Sequence, residues 1–247
     1  MNNYQLEQII NQQLNSEQFK DYAPNGLQVE GRAEVNRIIT GVTACQALLD
    51  KAVEMQADAV IVHHGYFWKN ELLVIKNMKR QRLKTLLSHD INLYGWHLPL
   101  DAHPTLGNNA CLAADIDLQL QGQIDAYLPW GILNSPMTGE GLVIKLAQAL
   151  NHSPLHCGDN GPELIKRVAL CTGGGQDYIE RAADFGVDAF ITGEVSEKTI
   201  HIARERGIHF FAAGHHATER GGVKALGAWL QENHALEVTF VDIMNPV

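Results

Sequence analysis

Leu6, Ile9, Ile10 and Leu14 recur at the three- and four-residue spacing that lines one face of a helix, so the chain opens on an amphipathic helix. Beyond it, short apolar runs alternate with helix-like stretches. Residues 37–65, RIITGVTACQALLDKAVEMQADAVIVHHG, read as strand, turn, helix, strand. Residues 167–195, RVALCTGGGQDYIERAADFGVDAFITGEV, read the same way. A shift of 130 residues aligns the two without a gap. Arg37, Gln46, Ala52, Asp58, Ala59 and Ile61 then fall on Arg167, Gln176, Ala182, Asp188, Ala189 and Ile191. The apolar positions agree more widely than the identities, and a duplicated βαβ unit is the economical explanation.

The echo continues downstream. INLYGWHLPLD (91–101) and HFFAAGHHATE (209–219) match at a shift of 118, which places His97 on His215 and Asp101 on Glu219. A histidine followed four residues later by a carboxylate thus recurs at the end of a strand-like run. Between the repeats lies LPWGILNSPMTGEG (128–141), rich in Gly and Pro and followed by the helical run LVIKLAQAL. It reads as a linker and divides the chain into an N-terminal half, 1–127, and a C-terminal half, 128–247. Short strands alternating with helices predict an α/β class: two similar α/β halves with mixed sheets.

Composition narrows the function. With 247 residues, 45% of them hydrophobic, the chain buries a real core. Nineteen Lys and Arg against 28 Asp and Glu give a net charge of −9, which argues against a protein built to neutralise nucleic-acid phosphates or anionic lipid. No apolar stretch approaches the roughly 18 residues of a membrane span. The first twenty residues lack the basic start and apolar core of a signal peptide. Cys45, Cys111, Cys157 and Cys171 are scattered without a C-x-x-C, so they read as buried thiols in a cytoplasmic protein.

Candidate chemistry gathers at three predicted strand ends. In DAVIVHHG (58–65), His63 and His64 stand where a buried strand runs out; the alternative is an exposed histidine pair on a loop. Adjacent strand residues face opposite ways, so the pair either bends at Gly65 or is divided between two ions. In YGWHLPLDAHPTLGNN (94–109), Pro99 opposes a helix between His97 and Asp101, so a strand end leading into a loop is expected. His97 is open to three roles, as ligand, proton shuttle or partner orienting a ligand, and Asp101 also suits a turn or cap. In AAGHHATERGG (212–222), His215 and Glu219 lie one turn apart and can converge on one ion, although Glu219 also suits a helix start. Six of the twelve histidines (63, 64, 97, 103, 215, 216) fall in these segments. Imidazoles with carboxylates and no thiolate suit zinc, manganese, iron, cobalt or nickel, and there are enough donors for two ions sharing a bridging carboxylate. Glu194 ends the second repeat where His64 ends the first and is a further candidate. The Thr172-Gly-Gly-Gly-Gln176 turn lacks a phosphate-loop lysine and reads as a tight strand-to-helix turn before it reads as a phosphate cradle.

VIVHHGYFW, YGWHLPLDAH, TGGGQ, FITGEVSE and AAGHHATERGG, with APNGLQVEG near the start, together resemble the GTP cyclohydrolase 1 type 2 homolog family, in its bacterial YbgI-like branch. The likeness runs from about Tyr4 to the C-terminus. It implies a dinuclear metal site between the halves and a hexameric ring. By motif it implies His63, His64, Asp101, His215 and Glu219 as ligands, Glu219 bridging, with the ions divided between His63/His215 and His64/Asp101. His97 and Glu194 are then acid–base or ligand-orienting groups. The implied activity is a metal-dependent hydrolase of a nucleotide or related small molecule. A dinuclear phosphoesterase, or a metal-organised ring serving as an interaction scaffold, is the competing reading.

Overall fold

The computed structural model describes all 247 residues. In chain order the strands are β1 (Gly26–Val29), β2 (Arg37–Thr43), β3 (Ala59–His64), β4 (Asn92–Gly95), β5 (Leu118–Asp125), β6 (Leu128–Met137), β7 (Leu155–Cys157), β8 (Ile165–Cys171), β9 (Ala189–Thr192), β10 (His209–Ala212) and β11 (Glu237–Phe240). The helices are α1 (Asn3–Leu14), α2 (Gln46–Glu54), α3 (Asn77–Ser88), α4 (Leu98–Ala102), α5 (Asn108–Asp115), α6 (Gly139–Leu150), α7 (Ile179–Phe185), α8 (Glu197–Arg206), α9 (His215–Thr218) and α10 (Arg220–His234). Two compact units result. Unit 1 is Met1–Leu100 with Gly222–Met244, and unit 2 is Asp101–Gly221 with Asn245–Val247.

Unit 1 is a five-stranded sheet in the order β1-β4-β3-β2-β11, parallel except for β1. The inner strands β2, β3 and β4 are buried almost without interruption because helices cover both faces, whereas the edge strand β11 alternates exposed and half-buried residues. Leu6, Ile10 and Leu14 of α1 and Leu226 and Leu230 of α10 pack against Ile38, Ile61 and Tyr94. Leu48 and Leu49 of α2 and Leu83 and Leu86 of α3 pack against Ile39, Val60, Val62 and Leu93. The opening helix is thus present, with Leu6, Ile10 and Leu14 buried as its spacing predicts. Asn2 caps it by accepting from the Tyr4 amide, and Asn15, at φ 51, ends it.

Unit 2 is a six-stranded mixed sheet in the order β5-β6-β8-β9-β10-β7. Strands β8, β9 and β10 run parallel, flanked by antiparallel β6 and β7. Leu142, Leu146 and Leu150 of α6 cover one face, over Val168, Leu170, Ile191 and Phe211. Ile179 and Ala182 of α7 and Ala203 of α8 cover the other, over Ala169, Phe190 and Phe210.

The internal repeat is visible in the registers. Ile38 pairs with Ala59 and Val168 with Ala189, the same pairing 130 residues apart. The shared aspartate explains itself. Asp58 Oδ2 accepts from the amides of Asn36 and Arg37 at 3.0 and 2.9 Å, and Asp188 Oδ2 accepts from those of Lys166 and Arg167 at 2.8 and 2.7 Å. Each carboxylate ties the start of one strand to the start of its neighbour. Ala59 also pairs with Asn92 and Ala189 with His209, so β4 and β10 match at a shift of 117. The histidine motif matches at 118, so the turn after β10 is one residue longer.

Two expectations are corrected. The 128–141 stretch is no linker: Leu128–Met137 is strand β6, bonded to β5 on one side and β8 on the other, with Leu128 and Leu133 buried. Its glycine serves close packing, since a Cβ on Gly131 would meet the Gln119 carbonyl at 2.5 Å. Pro99 does not prevent a helix, because it lies in the first turn of the five-residue α4, where a helix needs no amide donor. No helix is long and apolar enough to cross a membrane.

Asp188→Ala removes the acceptor for two amides at the β8 start and is expected to cost about 1–3 kcal/mol in denaturant unfolding. A loss below about 0.3 kcal/mol would mean that water serves those amides equally well.

Candidate metal centre

In unit 1 three imidazoles meet where β3 and β4 run out. His63 and His64 both belong to β3, and their rings still lie 4.5 Å apart at a 44° tilt. His63 is 1% exposed, and its Nδ1 donates to the Trp96 carbonyl at 3.0 Å. His64 Nδ1 lies 3.1 Å from the hydroxyl of Thr43, its register partner on β2. The turn that follows is close-packed, because a Cβ on Gly65 would strike the Gln28 carboxamide, which accepts from the Tyr66 amide.

His97 ends the same layer and is held by Asp21. Its Nδ1 donates to Asp21 Oδ1 at 2.7 Å, and Asp21 Oδ2 accepts from the Leu98 amide and the Asn25 carboxamide. Asn25 Oδ1 in turn accepts from the His97 amide at 2.8 Å. Burial opposes ionisation of Asp21, but the hydrogen bond and charge of His97, with the other donors, prevail and hold its pKa at about 2. Ligand nitrogens of His63, His64 and His97 all lie within 4.8 Å of one another.

In unit 2 the donors are Asp101, His215 and Glu219. Glu219 is 2% exposed and Asp101 8%, and carboxylate oxygens of the two lie within 4.8 Å of each other. Asp101 Oδ1 accepts from Asn108 Nδ2 at 2.8 Å, and the Thr172 hydroxyl stands 3.5 Å away. His215 bridges two carboxylates: Nδ1 to Glu194 Oε1 at 2.7 Å and Nε2 to Glu219 Oε2 at 3.1 Å. Burial would lower the His215 pKa, but Glu219 and then Glu194 outweigh it and raise it to about 9. A cation bound at Nε2 would have to displace the proton shared with Glu219.

Backbone shape makes room for these groups. Gly173 sits at φ +68, and a Cβ there would overlap the Glu219 carboxylate and approach His215 Nε2 at 3.1 Å. The TGGGQ turn is a tight strand-to-helix turn with three of its amides engaged inside the unit. The Thr172 amide donates to Asn109, that of Gly173 to Thr218, and that of Gly175 to Thr192. Gln176 instead reaches Glu194 at 3.4 Å.

Four of the six grouped histidines join these donor sets. His103 is a turn residue whose Nδ1 accepts from the Leu106 amide, and His216 lies buried outside the sets. The four cysteines are free thiols, and none joins a donor set. Asp21, Asn25, Asn108 and Thr172 are not among the predicted site residues. The signals for them are the APNG motif that Asp21 and Asn25 flank or fall within, the LGNN turn for Asn108 and the TGGGQ turn for Thr172.

The donor chemistry fits divalent metal. Two buried carboxylates this close repel each other, protonated His215 relieves only part of that, and carboxylates with imidazoles form a set suited to borderline transition ions. Gly173→Ala combines a strained φ with a clash on Glu219. It is expected to cost about 1–2 kcal/mol in stability and to weaken cobalt uptake at least tenfold in a titration. Unchanged uptake would show that Glu219 need not occupy this cradle.

Comparison with known proteins agrees along the whole chain. The chain is 66% identical over 246 residues to a Salmonella typhimurium protein called GTP cyclohydrolase 1 type 2 homolog, covering all of both chains. It superposes on the solved structure titled "Structural genomics, protein ybgI, unknown function" with a TM-score of 0.99 at 65% identity, again covering all of both chains. TTHA1606 from Thermus thermophilus follows with a TM-score of 0.93 at 33% identity, also over the full length of both. The model of the Duf34/NIF3 (NGG1p interacting factor 3) family matches residues 1–246, and the chain belongs to that family.

Proposed function

We propose that this protein is a dinuclear, divalent-metal-dependent hydrolase acting on a nucleotide or related phosphorylated small molecule. The observation that carries the reading is the buried Asp101–Glu219 carboxylate pair with His215 attached. Protonated His215 offsets part of that like charge through Glu219, and divalent cations held by both carboxylates would offset the rest. His63, His64, Asp101, His215 and Glu219 are the ligands, with Glu219 bridging. The ions divide between His63/His215 and His64/Asp101. Such a pair of ions supplies Lewis acidity and an activated water. Zinc, manganese, iron, cobalt and nickel all suit the ligand set.

The other residues orient these ligands. Glu194 accepts from His215 Nδ1, which fixes the tautomer and aims Nε2 at the metal. Asn108 donates to Asp101 Oδ1 at 2.8 Å and so helps fix the carboxylate. His97 stands beside His63 and His64 as a proton-handling or ligating group. The name of the Salmonella relative, GTP cyclohydrolase 1 type 2 homolog, supports a purine nucleotide as the substrate class. On the same reading the protein works in the cytoplasm as a homo-oligomeric ring of six copies.

Elemental analysis of protein purified without chelator or affinity tag, beside Glu219→Gln, is the test. About two transition-metal equivalents per chain are expected, and fewer in the variant. Metal-loaded protein is then assayed on GTP for ring opening and on phosphoesters for phosphate release, which separates the two hydrolytic classes. Full metal content with no turnover in either assay would favour the scaffold role. No uptake of zinc, manganese, iron, cobalt or nickel would sink the proposal.

A further inference from the structure

Two loops of unit 1 bring aromatic side chains to His97 that no ligand role uses. Tyr22 is 62% exposed, and its ring centroid lies 6.5 Å from that of His97 at a 59° tilt. Trp68 meets the same imidazole edge-on at 5.0 Å and lies 6.0 Å from the His64 ring. Tyr22 and Trp68 thus share His97 as a neighbour without touching each other. The Lys69 amide donates to the Tyr22 carbonyl at 2.7 Å, which clips the two loops together at the backbone. Between them the His97 side chain keeps 17% of its surface in contact with water.

Both aromatic residues stand on fixed backbone. Asp21 Oδ1 accepts from the Tyr22 amide at 2.6 Å and from His97 Nδ1 at 2.7 Å, so one carboxylate holds both residues. The Tyr22 ring nevertheless projects into water. An exposed tyrosine on an anchored backbone offers stacking area at a small cost in side-chain entropy. On the other loop, Phe67 stands at φ 65, a left-handed conformation that is costly for an aromatic residue. Glu71 Oε2 holds that turn by accepting from the Phe67 and Trp68 amides at 2.7 and 3.2 Å. Lys79 Nζ lies over the Phe67 ring, 5.1 Å from its centroid, and Trp68 Nε1 donates to the Gly65 carbonyl at 3.1 Å. A strained turn held by this many contacts fixes where the Trp68 ring stands.

We infer that Tyr22 and Trp68 wall a stacking slot in unit 1, floored by His97, that holds the nucleobase of the substrate. Aromatic faces bind any flat, polarisable ring, and an aliphatic chain gains much less from them. The rims are polar: the Tyr22 hydroxyl on one side and His97 on the floor. Because His97 Nδ1 donates to Asp21, its Nε2 carries the lone pair and accepts from a ring N–H. That chemistry fits a heteroaromatic ring bearing nitrogen. Tyr22 is the specificity-determining residue, since its ring is the exposed wall. The inference rests on the nucleotide reading above and deepens it by assigning the group that reads the base.

The test titrates GMP and ribose 5-phosphate into the full chain by calorimetry, both metal-free and zinc-loaded. The two probes differ by the base alone, so their affinity ratio isolates it. GMP is expected to bind at least about fivefold tighter in one or both forms. Tyr22→Leu, at an exposed position that the core does not need, should bring the two probes within about twofold of each other and leave ribose 5-phosphate unchanged. Tyr22→Phe should keep the preference, because the ring does the stacking. GMP should also quench tryptophan emission, and Trp68→Phe should abolish that quenching although Trp96, Trp130 and Trp229 remain. Equal binding of the two probes, no binding of either, or a preference indifferent to Tyr22→Leu would overturn the inference. Full metal uptake without a preference for GMP defeats the slot and leaves the metal reading standing. A Tyr22-dependent preference in a chain that takes up no metal keeps the slot and defeats the dinuclear reading.

Discussion

Two carboxylates buried almost completely from water set the terms for everything around them. Asp101 and Glu219 sit within 4.8 Å of each other in unit 2. At an effective dielectric near 20, like charges about 5 Å apart repel by roughly 3 kcal/mol, before any cost of desolvation. The hydrogen bond donated by Asn108 offsets only part of that. The remaining features of the site serve to tolerate or exploit the pair. Gly173 gives up its side chain so that Glu219 fits, and His215 keeps a proton against burial because both its neighbours are carboxylates. A divalent cation beside the pair would turn this arrangement from a cost into a gain.

Duplication explains how one chain came to hold two complementary donor sets. The same βαβ frame, tied at its base by Asp58 in one unit and Asp188 in the other, ends in different chemistry. At the first strand end stands His64 and at the second Glu194, 130 residues later. At the next strand end stand His97 and His215, each with Nδ1 on a carboxylate, Asp21 in unit 1 and Glu194 in unit 2. Unit 1 thereby became rich in imidazole and unit 2 rich in carboxylate. Soft and hard donors were sorted by unit while the scaffold stayed constant.

Much of this is legible in the sequence, and the limits have physical causes. The parallel strands declare themselves because a strand buried on both faces is a continuous apolar run, and the gapless 130-residue shift survives as an identical register. The candidate histidines are legible because they sit where those runs stop. Strand β6 is disguised because glycine and proline in 128–141 mimic a linker, whereas here Gly131 permits close backbone approach. The roles of Asp21 and Thr172 leave no mark because they act through the fold: Asp21 meets His97 from 76 residues away, and Thr172 meets Asp101 from 71. No local pattern records such a meeting. The APNG segment carries a partial trace, since Asn25 anchors the His97 amide.

On this account the buried carboxylates exist to hold metal. Crystals of the intact protein grown with zinc, with anomalous scattering measured on both sides of the zinc absorption edge, test it most directly. The account predicts two anomalous peaks per chain about 3.5–4 Å apart, both within coordination distance of Glu219 and one of them of Asp101. Fully occupied zinc elsewhere on the surface, with no peak at these two carboxylates, would contradict it.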